Sequence, residues 1–373
     1  MKIIFVLLIV ILSIATNAQP GYYHESHNIN DLKEEYVQLN LQYPRIYELT
    51  IVIDSTTKDF SNLNMLKKHK ELTFDINIKK LPNDFNSIIL DSLTEVNLLC
   101  NGITKDLTNI RGFKEAKRVN INDFSGNVIP NTLSEFNNLE ELSLHKFPNI
   151  TNVNALRDLK KLRLLLLDCN NLNDFPEFSK KNPISFIILN NVHNNLNFQN
   201  LNLLQKLVGI EIIIPKQLDK FPGYLSKKLK QIRINGNILS LENLTLYPNV
   251  EFIQIKSTLL ERFDVDFKGN KSIKNIGISL NPNLNNIDAV YTCEGLEYLL
   301  LNELPSLKEF DLKNLDLNRG LSIQATGIIT IKSIEKLKKL PRLYIKYNNY
   351  LKIDLETKSP KRDISDNGKY VKE

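Results

Sequence analysis

The sequence predicts a solenoid in which each of about 14 repeats contributes one short parallel strand and one turn. Three observations predict it. A unit recurs every 21 to 24 residues along most of the chain. Within each unit two apolar positions alternate with polar neighbours, as in Val96 and Leu98, which is the period of a strand with one buried side. Between these segments the apolar period is three, as in Leu284, Ile287 and Val290, and this favours tight turns over α-helices.

The repeat unit is clearest between Leu139 and Asn170. The pattern L-x-x-L-x-L comes first there, and apolar residues at every third position come after it. Position nine of the unit serves as the anchor, and walking outward from Asn170 places one such position in every repeat. These positions are Asp54, Asn77, Asn101, Phe124, Phe147, Asn170, Val192, Pro215, Asn237, Thr258, Asn281, Leu304, Thr326 and Asn348. Such regular spacing predicts a single stack of repeats.

The unit L-x-x-L-x-L-x-x-N resembles the leucine-rich repeat family, and the resemblance extends from Ile46 to Asn348. It implies an α/β solenoid of horseshoe shape, with parallel strands on the concave face and 3₁₀ or irregular turns on the convex face. It also implies that the Asn at position nine turns inward and bonds the backbone of adjacent turns. In this chain five repeats carry an apolar residue there, so we expect an interrupted ladder.

The domain organisation follows from the ends of the repeat region. Residues 1–18 have one lysine, an apolar run and small residues before Gln19, which is typical of a cleaved secretory signal; a retained membrane anchor is the alternative. Residues 19–45 form an N-terminal segment with a capping helix over Asp31–Leu41, residues 46–350 the repeat domain, and residues 351–373 a C-terminal cap and polar tail. We therefore expect a secreted, periplasmic or cell-surface protein without an integral membrane segment after signal cleavage.

Neither the cysteines nor the histidines predict a cofactor, a metal or a disulfide. Cys100 and Cys169 occupy equal positions three repeats apart, roughly 14 Å at the usual strand spacing, which is too far for a bridge. Cys293 occupies a different position of the repeat unit, and we expect it to be a small buried hydrophobic residue. His24 and His27 have the spacing of one helix face, but no acidic or cysteine pattern completes a metal site.

Positions three, five and seven of each unit point away from the core, and we call the surface they form the open face. In repeats six to eight it carries apolar residues where polar ones are usual, and we call these five the apolar patch: Leu164, Leu166, Phe186, Ile188 and Ile213. Contiguous apolar surface commonly marks an interaction site. Two other interpretations remain at this stage: side chains that stack on one another along the sheet, and a local register shift of one residue.

The open face also carries charge of opposite sign near its two ends. Acidic residues occupy the first three repeats and basic residues the later ones, and they are Glu48, Glu71, Asp75, Glu95, Arg233, Lys256, Arg342 and Lys346. This distribution could orient a polar partner, or it could simply keep the surface soluble.

One constellation invites a catalytic interpretation. His145 and Asp168 share position seven in neighbouring repeats, and Ser143 lies two residues before the histidine, so the set resembles that of nucleophilic hydrolases. However, residues two apart on a strand have Cα atoms nearly 7 Å apart, and no glycine-rich turn or helix start supplies an oxyanion site. The sequence thus favours a surface histidine beside a carboxylate.

Together these patterns predict a non-catalytic leucine-rich repeat protein that binds a macromolecule, most simply a protein, through its concave face. The repeat length resembles bacterial cell-surface and secreted members of the family, which implies adhesion or protein binding. A glycan is an alternative partner, whereas the net charge of +6, from 48 basic and 42 acidic residues, gives little support to nucleic acid. Alternative functions are an envelope protein that self-associates through the apolar patch, and a hydrolase that uses His145 and Asp168.

Overall fold

A computed structural model describes residues 23–43, 47–157, 159–348, 351 and 362–365. It contains two compact units, which we call the N-terminal unit (Met1–Asn149 with Leu159–Lys161) and the C-terminal unit (Ile150–Asp158 with Leu162–Glu373). The predicted signal, residues 1–18, lies outside the described residues. Among the described residues, no helix is long and apolar enough to cross a membrane.

The N-terminal unit is a sheet in which every strand pairs in parallel with the next one along the chain. Its strands are β1 (Tyr23–Asn28), β2 (Tyr47–Ile53), β3 (Glu71–Ile76), β4 (Glu95–Leu99), β5 (Arg118–Asn122) and β6 (Glu141–His145). Strands β2 to β6 are those of the first five predicted repeats. Strand β1 precedes the predicted repeats and extends the edge of this sheet by one strand.

The C-terminal unit has a longer parallel sheet and a second, two-stranded sheet formed by β14 and β16. Its strands are β7 (Leu164–Asp168), β8 (Phe186–Asn190), β9 (Gly209–Lys220), β10 (Gln231–Ser240), β11 (Phe252–Lys256), β12 (Asn275–Ser279), β13 (Tyr298–Asn302), β14 (Glu309–Asp311), β15 (Gly320–Gln324), β16 (Thr330–Lys332), β17 (Leu343–Lys346) and β18 (Arg362–Ser365). The long sheet contains all of them except β14 and β16.

Alternating burial explains why these segments are strands. In β4 the side chains of Val96 and Leu98 are fully buried, while their neighbours are partly exposed. The same alternation recurs in β10, where Ile232 and Ile234 enter the core of the C-terminal unit. Because each strand buries one side only, a repeat gains its core by stacking on its neighbours. The predicted parallel-stranded repeat solenoid is confirmed.

Turns between the strands are mostly 3₁₀, as the three-residue apolar period predicted. The 3₁₀ helices are Ile29–Asp31, Ser61–Leu66, Asn83–Ser87, Arg111–Phe113, Asn131–Glu135, Asn154–Leu156, Gln199–Leu203, Glu242–Leu246 and Ile334–Lys339. Two segments of the described chain are α-helical: α1 (Glu34–Gln42) and the four-residue α2 (Asp288–Tyr291). Helix α1 starts later than the predicted Asp31, because Asp31 belongs to a 3₁₀ turn that Asn28 caps through a bond from the Asn30 N–H.

In many repeats the residue that follows the strand has left-handed backbone. Position eight has a φ between 48° and 59° in eight repeats, at Asp123, Lys146, Asn191, Ser257, Leu280, Glu303, Ala325 and Tyr347. None of these is β-branched, in keeping with the higher cost of this conformation for Val, Ile and Thr. The N–H of this residue still bonds the next strand, as from Leu280 to the Asn302 carbonyl at 3.0 Å. The chain thus leaves the sheet in a fixed direction after the last hydrogen bond to the next strand.

The side chain at position nine is accommodated in the interior in two different ways. Buried Asn281 accepts hydrogen bonds from the N–H (2.8 Å) and hydroxyl of Thr258 in the preceding repeat, and donates to the Ile255 and Ser279 carbonyls. Asn348 bonds Thr326 in the same manner. In the N-terminal unit Phe124 and Phe147 occupy this position, with ring centroids 5.3 Å apart. The ladder is interrupted as predicted, and an aromatic pair fills one interruption.

Strands β9 and β10 continue beyond the usual five residues, and position nine of that repeat, Pro215, lies within β9. Their pairing shifts register between Gly236 and Ile238. Gly236 has a φ of 112° and its α-carbon lies so close to Ile214 that a β-carbon would stand 2.0 Å from the Ile214 carbonyl oxygen. Glycine is therefore required at this bulge.

At the C-terminal end, β18 pairs in parallel with β17 and adds one strand to the sheet. The sequence predicted a closing strand around Leu351, Ile353 and Leu355, and a polar tail from Lys358. Of these three, Leu351 is described and buried, whereas Ile353 and Leu355 lie outside the described residues. The strand that pairs with β17 comes from the segment predicted as tail.

Candidate functional site

The apolar patch lies on the open face of the C-terminal unit. Strands β7 and β8 pair so that Leu164 lies opposite Phe186 and Leu166 opposite Ile188. These four side chains and that of Ile213 on β9 are half-buried. The patch residues thus alternate with fully buried core residues of the same strands, Leu165, Leu167, Ile187, Leu189 and Ile212. This alternation rules out a one-residue register shift.

The ring of Phe186 lies over the backbone of the next strand. Its partner across the pair is Gly209, and a β-carbon there would stand 2.2 Å from the Phe186 Cδ2 atom. Gly209 is buried although it occupies position three, where a side chain would point outward. The missing side chain therefore leaves room for the phenyl ring against the backbone of β9.

Arg233 on β10, which the sequence marks only as one of the basic residues of the open face, continues the patch. Its guanidinium carbon lies 5.9 Å from the Phe186 ring centroid and 5.6 Å from that of Phe252. Glu211, on the intervening strand β9, pairs with it at 3.6 Å. The patch thus ends in an arginine held between two aromatic rings, with its charge largely balanced. The sequence does carry a signal for this contact. A phenylalanine occupies position three two strands before Arg233, and another occupies it one strand after.

The corresponding column of the N-terminal unit is polar. Position five carries Thr73, Asn97 and Asn120 on consecutive strands, and the Asn120 amide donates to the Asn97 side-chain oxygen at 2.7 Å. Asn97 in turn donates to the Thr73 hydroxyl at 3.4 Å. These side chains satisfy one another along the sheet. Apolar side chains at position five of β7 and β8 are therefore a departure within this chain, and no requirement of the fold demands them.

Acidic residues of the N-terminal unit cluster as the sequence predicted. Burial, and next the negative charge of Glu95, raise the pKa of the Glu71 carboxyl. Glu95 itself is bonded to Arg118 on the next strand, which offsets part of the negative charge. Asp75 accepts hydrogen bonds from the Asn77 and Asn101 amides. Much of this acidic surface is thus engaged within the sheet.

The candidate catalytic residues lie on two strands. Ser143 and His145 are on β6 in the N-terminal unit and are half-buried. Asp168, the last residue of β7 in the C-terminal unit, is 3% exposed. Its Oδ1 accepts hydrogen bonds from the Asn191 amide at 2.9 Å and from the Asn170 N–H at 3.2 Å. The Asp168 carboxylate is therefore engaged by asparagine donors that belong to the turns of its own unit.

Within the described ranges no group of three or more His, Cys, Asp or Glu side chains could hold a metal. His24 and His27 lie on β1, not on a helix: His24 bonds the Thr50 hydroxyl at 3.0 Å, and His27 contacts Glu25 at 2.9 Å and stacks on Tyr36. All three cysteines are buried free thiols, and burial raises the pKa of Cys100 and of Cys293 to about 12.

Comparison with known proteins gives matches by structure only. No family model matches the sequence, and no curated protein sequence matches it. Among solved structures, the internalin InlF from Listeria monocytogenes superposes with a TM-score of 0.55 at 15% identity over 89% of this chain and 93% of that one. A leucine-rich repeat protein of Leptospira interrogans superposes with a TM-score of 0.51 at 18% identity over 84% and 87%.

The receptor in the TLR13–ssRNA13 complex superposes with a TM-score of 0.50 at 16% identity, over 88% of this chain and 55% of that one. Identities this low establish the fold and leave the partner open. The repeat spacing, the parallel sheets, the 3₁₀ turns and these superpositions agree. The chain has the leucine-rich repeat fold.

Proposed function

We propose that this protein is a non-catalytic scaffold that binds another protein through the open face of its C-terminal unit. The observation that carries the proposal is the apolar patch itself: on β7 and β8, positions three and five carry four half-buried apolar side chains in two directly paired rows. Positions of the same kind in the N-terminal unit carry a ladder of mutually bonded polar side chains. Contiguous apolar surface of this type favours a macromolecular interface.

The edge of the patch adds the residue types that dominate binding energy. Arginine and aromatic side chains are enriched among residues whose truncation costs an interface most. Here Phe186 contacts the backbone at Gly209, and Arg233 lies between Phe186 and Phe252. Because these groups are already ordered, binding loses little side-chain entropy. We infer that Phe186 and Arg233 form the centre of the contact.

The chemistry of the patch favours a protein over a nucleic acid. Phosphate backbones are held by unpaired lysine and arginine side chains. Arg233 is the basic residue at the edge of the patch, and Glu211 already pairs with it. Apolar side chains on a partner surface match Leu164, Leu166 and Ile188, with the Arg233–Glu211 pair at the rim. The proposed partner is therefore a protein that presents an apolar segment.

We also propose that residues 1–18 direct export, so that the partner lies outside the cytoplasm. The support is the sequence pattern of a secretory signal, with small residues before Gln19. Mass spectrometry of the protein released by its source cells tests this: a mature chain that begins at Gln19 supports export with cleavage. A chain that retains Met1 in the cytoplasmic fraction contradicts it.

Binding is tested with the full chain and two variants. Leu166→Glu places a charge in the patch, and Leu259→Glu makes the same change at a leucine that is 54% exposed elsewhere in the unit. Capture from the envelope and surroundings of the source organism identifies a candidate, and its dissociation constant is then measured in purified form. We expect Leu166→Glu to weaken binding roughly 100-fold and Leu259→Glu to leave it unchanged. Equal affinity for all three forms would refute the proposal.

Self-association through the same patch is the competing function. Light scattering as a function of concentration distinguishes the two: a monomer at all concentrations supports a foreign partner. A dimer that Phe186→Asp abolishes would assign the patch to a second copy of this chain. A hydrolase substrate panel in which turnover is lost on His145→Ala would contradict the non-catalytic assignment.

A further inference from the structure

A cleft of about 600 Å³ opens on the C-terminal unit across strands β12, β13, β15 and β17. Its lining includes the polar and aromatic residues Asn275, Tyr298, Arg319, Ser322, Arg342 and Tyr344. Ile213 on β9 is the patch residue nearest to it in strand order, three strand steps or roughly 14 Å from β12. Phe252, which contacts Arg233, lies opposite Asn275 of the cleft in the strand pairing.

Gly320 shapes the middle of this cleft. It lies opposite Tyr298 in the strand pairing, and it approaches Arg342 so closely that a β-carbon would stand 2.6 Å from the Arg342 carbonyl oxygen. Its φ of 134° also disfavours other residues. Position three of β15 therefore carries no side chain between Tyr298 on β13 and Arg342 beside β17.

Two arginines border the cleft. Arg319 and Arg342 are exposed, and within the part of the chain that the structure describes neither guanidinium forms an ion pair. Glu297, whose carbonyl oxygen bonds the Arg319 N–H, has its carboxylate 3.4 Å from Lys274. The cleft therefore lies in positive potential and suits an anion.

The rest of the lining decides what kind of anion fits. Arginine forks bind carboxylates with two parallel bonds. Asn275, Ser322 and Gln324 offer both donors and acceptors, as a ligand rich in hydroxyl groups requires. Tyr298 and Tyr344 are half-buried and present ring surface beside these groups. Leu321 and Leu343 also line the cleft and are otherwise buried, so they give it an apolar floor beneath the polar groups.

We propose that this cleft binds an acidic sugar, with Arg319 and Arg342 holding its carboxylate and the amide and tyrosine side chains holding its hydroxyl groups. None of the five patch residues lines the cleft, and its volume lies within the range of small-ligand pockets. The protein would then recognise a partner protein and an acidic saccharide on one unit. Binding of the sugar does not depend on the protein-binding proposal.

Isothermal titration calorimetry of the full chain tests the proposal with four probes: a galacturonic acid tetramer, its methyl ester, 3′-sialyllactose and single-stranded RNA. We expect at least one of the two acidic sugars to bind, and the methyl ester to bind roughly tenfold more weakly or not at all, because esterification removes the carboxylate charge. Binding of galacturonate or of sialyllactose identifies the carboxylate source. Equal binding of tetramer and ester, or no binding of either acidic sugar, overturns the proposal. RNA binding that exceeds sugar binding also overturns it.

The matched variants remove equal charge from two places. Arg319→Gln with Arg342→Gln changes the cleft, and Lys206→Gln with Lys216→Gln changes exposed lysines elsewhere on the unit. We expect the arginine pair to weaken sugar binding at least roughly tenfold and the lysine pair to leave it unchanged. An equal loss in both pairs would mean non-specific attraction and would refute the site. All four positions are exposed, and unchanged circular dichroism melting confirms that the variants fold.

Discussion

The phenyl ring of Phe186 lies directly against the backbone of Gly209 on the neighbouring strand, in the space that a β-carbon would occupy. This contact fixes the ring at the centre of the apolar patch and brings it within 5.9 Å of Arg233. It also shows that the patch depends on a glycine at position three as much as on its apolar residues. A glycine and an aromatic side chain on adjacent strands thus form one structural element.

Gly209→Ala tests this contact. The new methyl group would displace the Phe186 ring, and we expect a loss of about 1–3 kcal/mol in the free energy of unfolding, measured in urea. In a Phe186→Ala background the space is free, so Gly209→Ala should then cost close to nothing, and the two changes should be strongly non-additive. Additive costs would show that the ring does not occupy this position.

A substitution at Asn281 tests the ladder of hydrogen bonds at position nine. Its side chain bonds Thr258 twice and the Ile255 and Ser279 carbonyls once each, all in the buried interior. Asn281→Ala leaves these groups without partners, and we expect a loss of about 3 kcal/mol in the free energy of unfolding. Exposed Asn285 provides the control, since Asn285→Ala should change this energy by less than about 0.5 kcal/mol. Similar effects of the two changes would contradict the ladder.

Substitutions at Phe124 and Phe147 test the aromatic pair that takes the place of the asparagine ladder in the N-terminal unit. Both rings are 1% exposed, and they meet at an angle of 43°. Phe147→Ala should cost about 3–5 kcal/mol of stability in a urea titration, because it leaves a cavity in the core. A double-mutant cycle with Phe124→Ala should give a coupling energy of about 0.5–1.5 kcal/mol. No measurable coupling would mean that the rings do not interact.

The burial of the three cysteines predicts that their thiols are unreactive in the folded protein. A thiol reacts as its thiolate, and with a pKa of about 12 for Cys100 and Cys293 the thiolate fraction at pH 8 is on the order of 10⁻⁴. Burial also raises the pKa of Cys169. Ellman's reagent should therefore find no reactive thiol in the folded protein and three after denaturation. A thiol that reacts within minutes under native conditions would contradict the burial of its side chain.

Much of this fold follows from the sequence, because repeat spacing and alternation are local patterns that stacking amplifies. Val96, Leu98 and Ile234 lie in the core as the unit predicts, and the turns are tight as the three-residue period predicts. Strand β1 escaped prediction because its burial is low: Tyr23–Asn28 is held by backbone pairing with β2, and no apolar alternation marks it. The left-handed residues also escaped, since Leu280 and Tyr347 carry no local preference for that conformation.

The candidate site was predictable in its position and only partly in its composition. Leu164, Leu166, Phe186, Ile188 and Ile213 were identified from their places in the repeat. That Phe186 covers Gly209 and that Arg233 lies between two rings depends on side-chain rotamers, which periodicity does not determine. The cleft was not predicted, because a glycine such as Gly320 leaves no mark in an apolar pattern.

Cysteine scanning across β7 tests the central claim most directly, since no partner is required and the native thiols are buried. Leu165→Cys and Leu166→Cys are treated separately with Ellman's reagent under native conditions, with denatured samples as the measure of total thiol. The structure predicts that the thiol at position 166 reacts and that the one at position 165 does not, because successive side chains of a strand point to opposite sides. The reverse pattern, or protection at both positions, would show that the apolar patch is not on the surface.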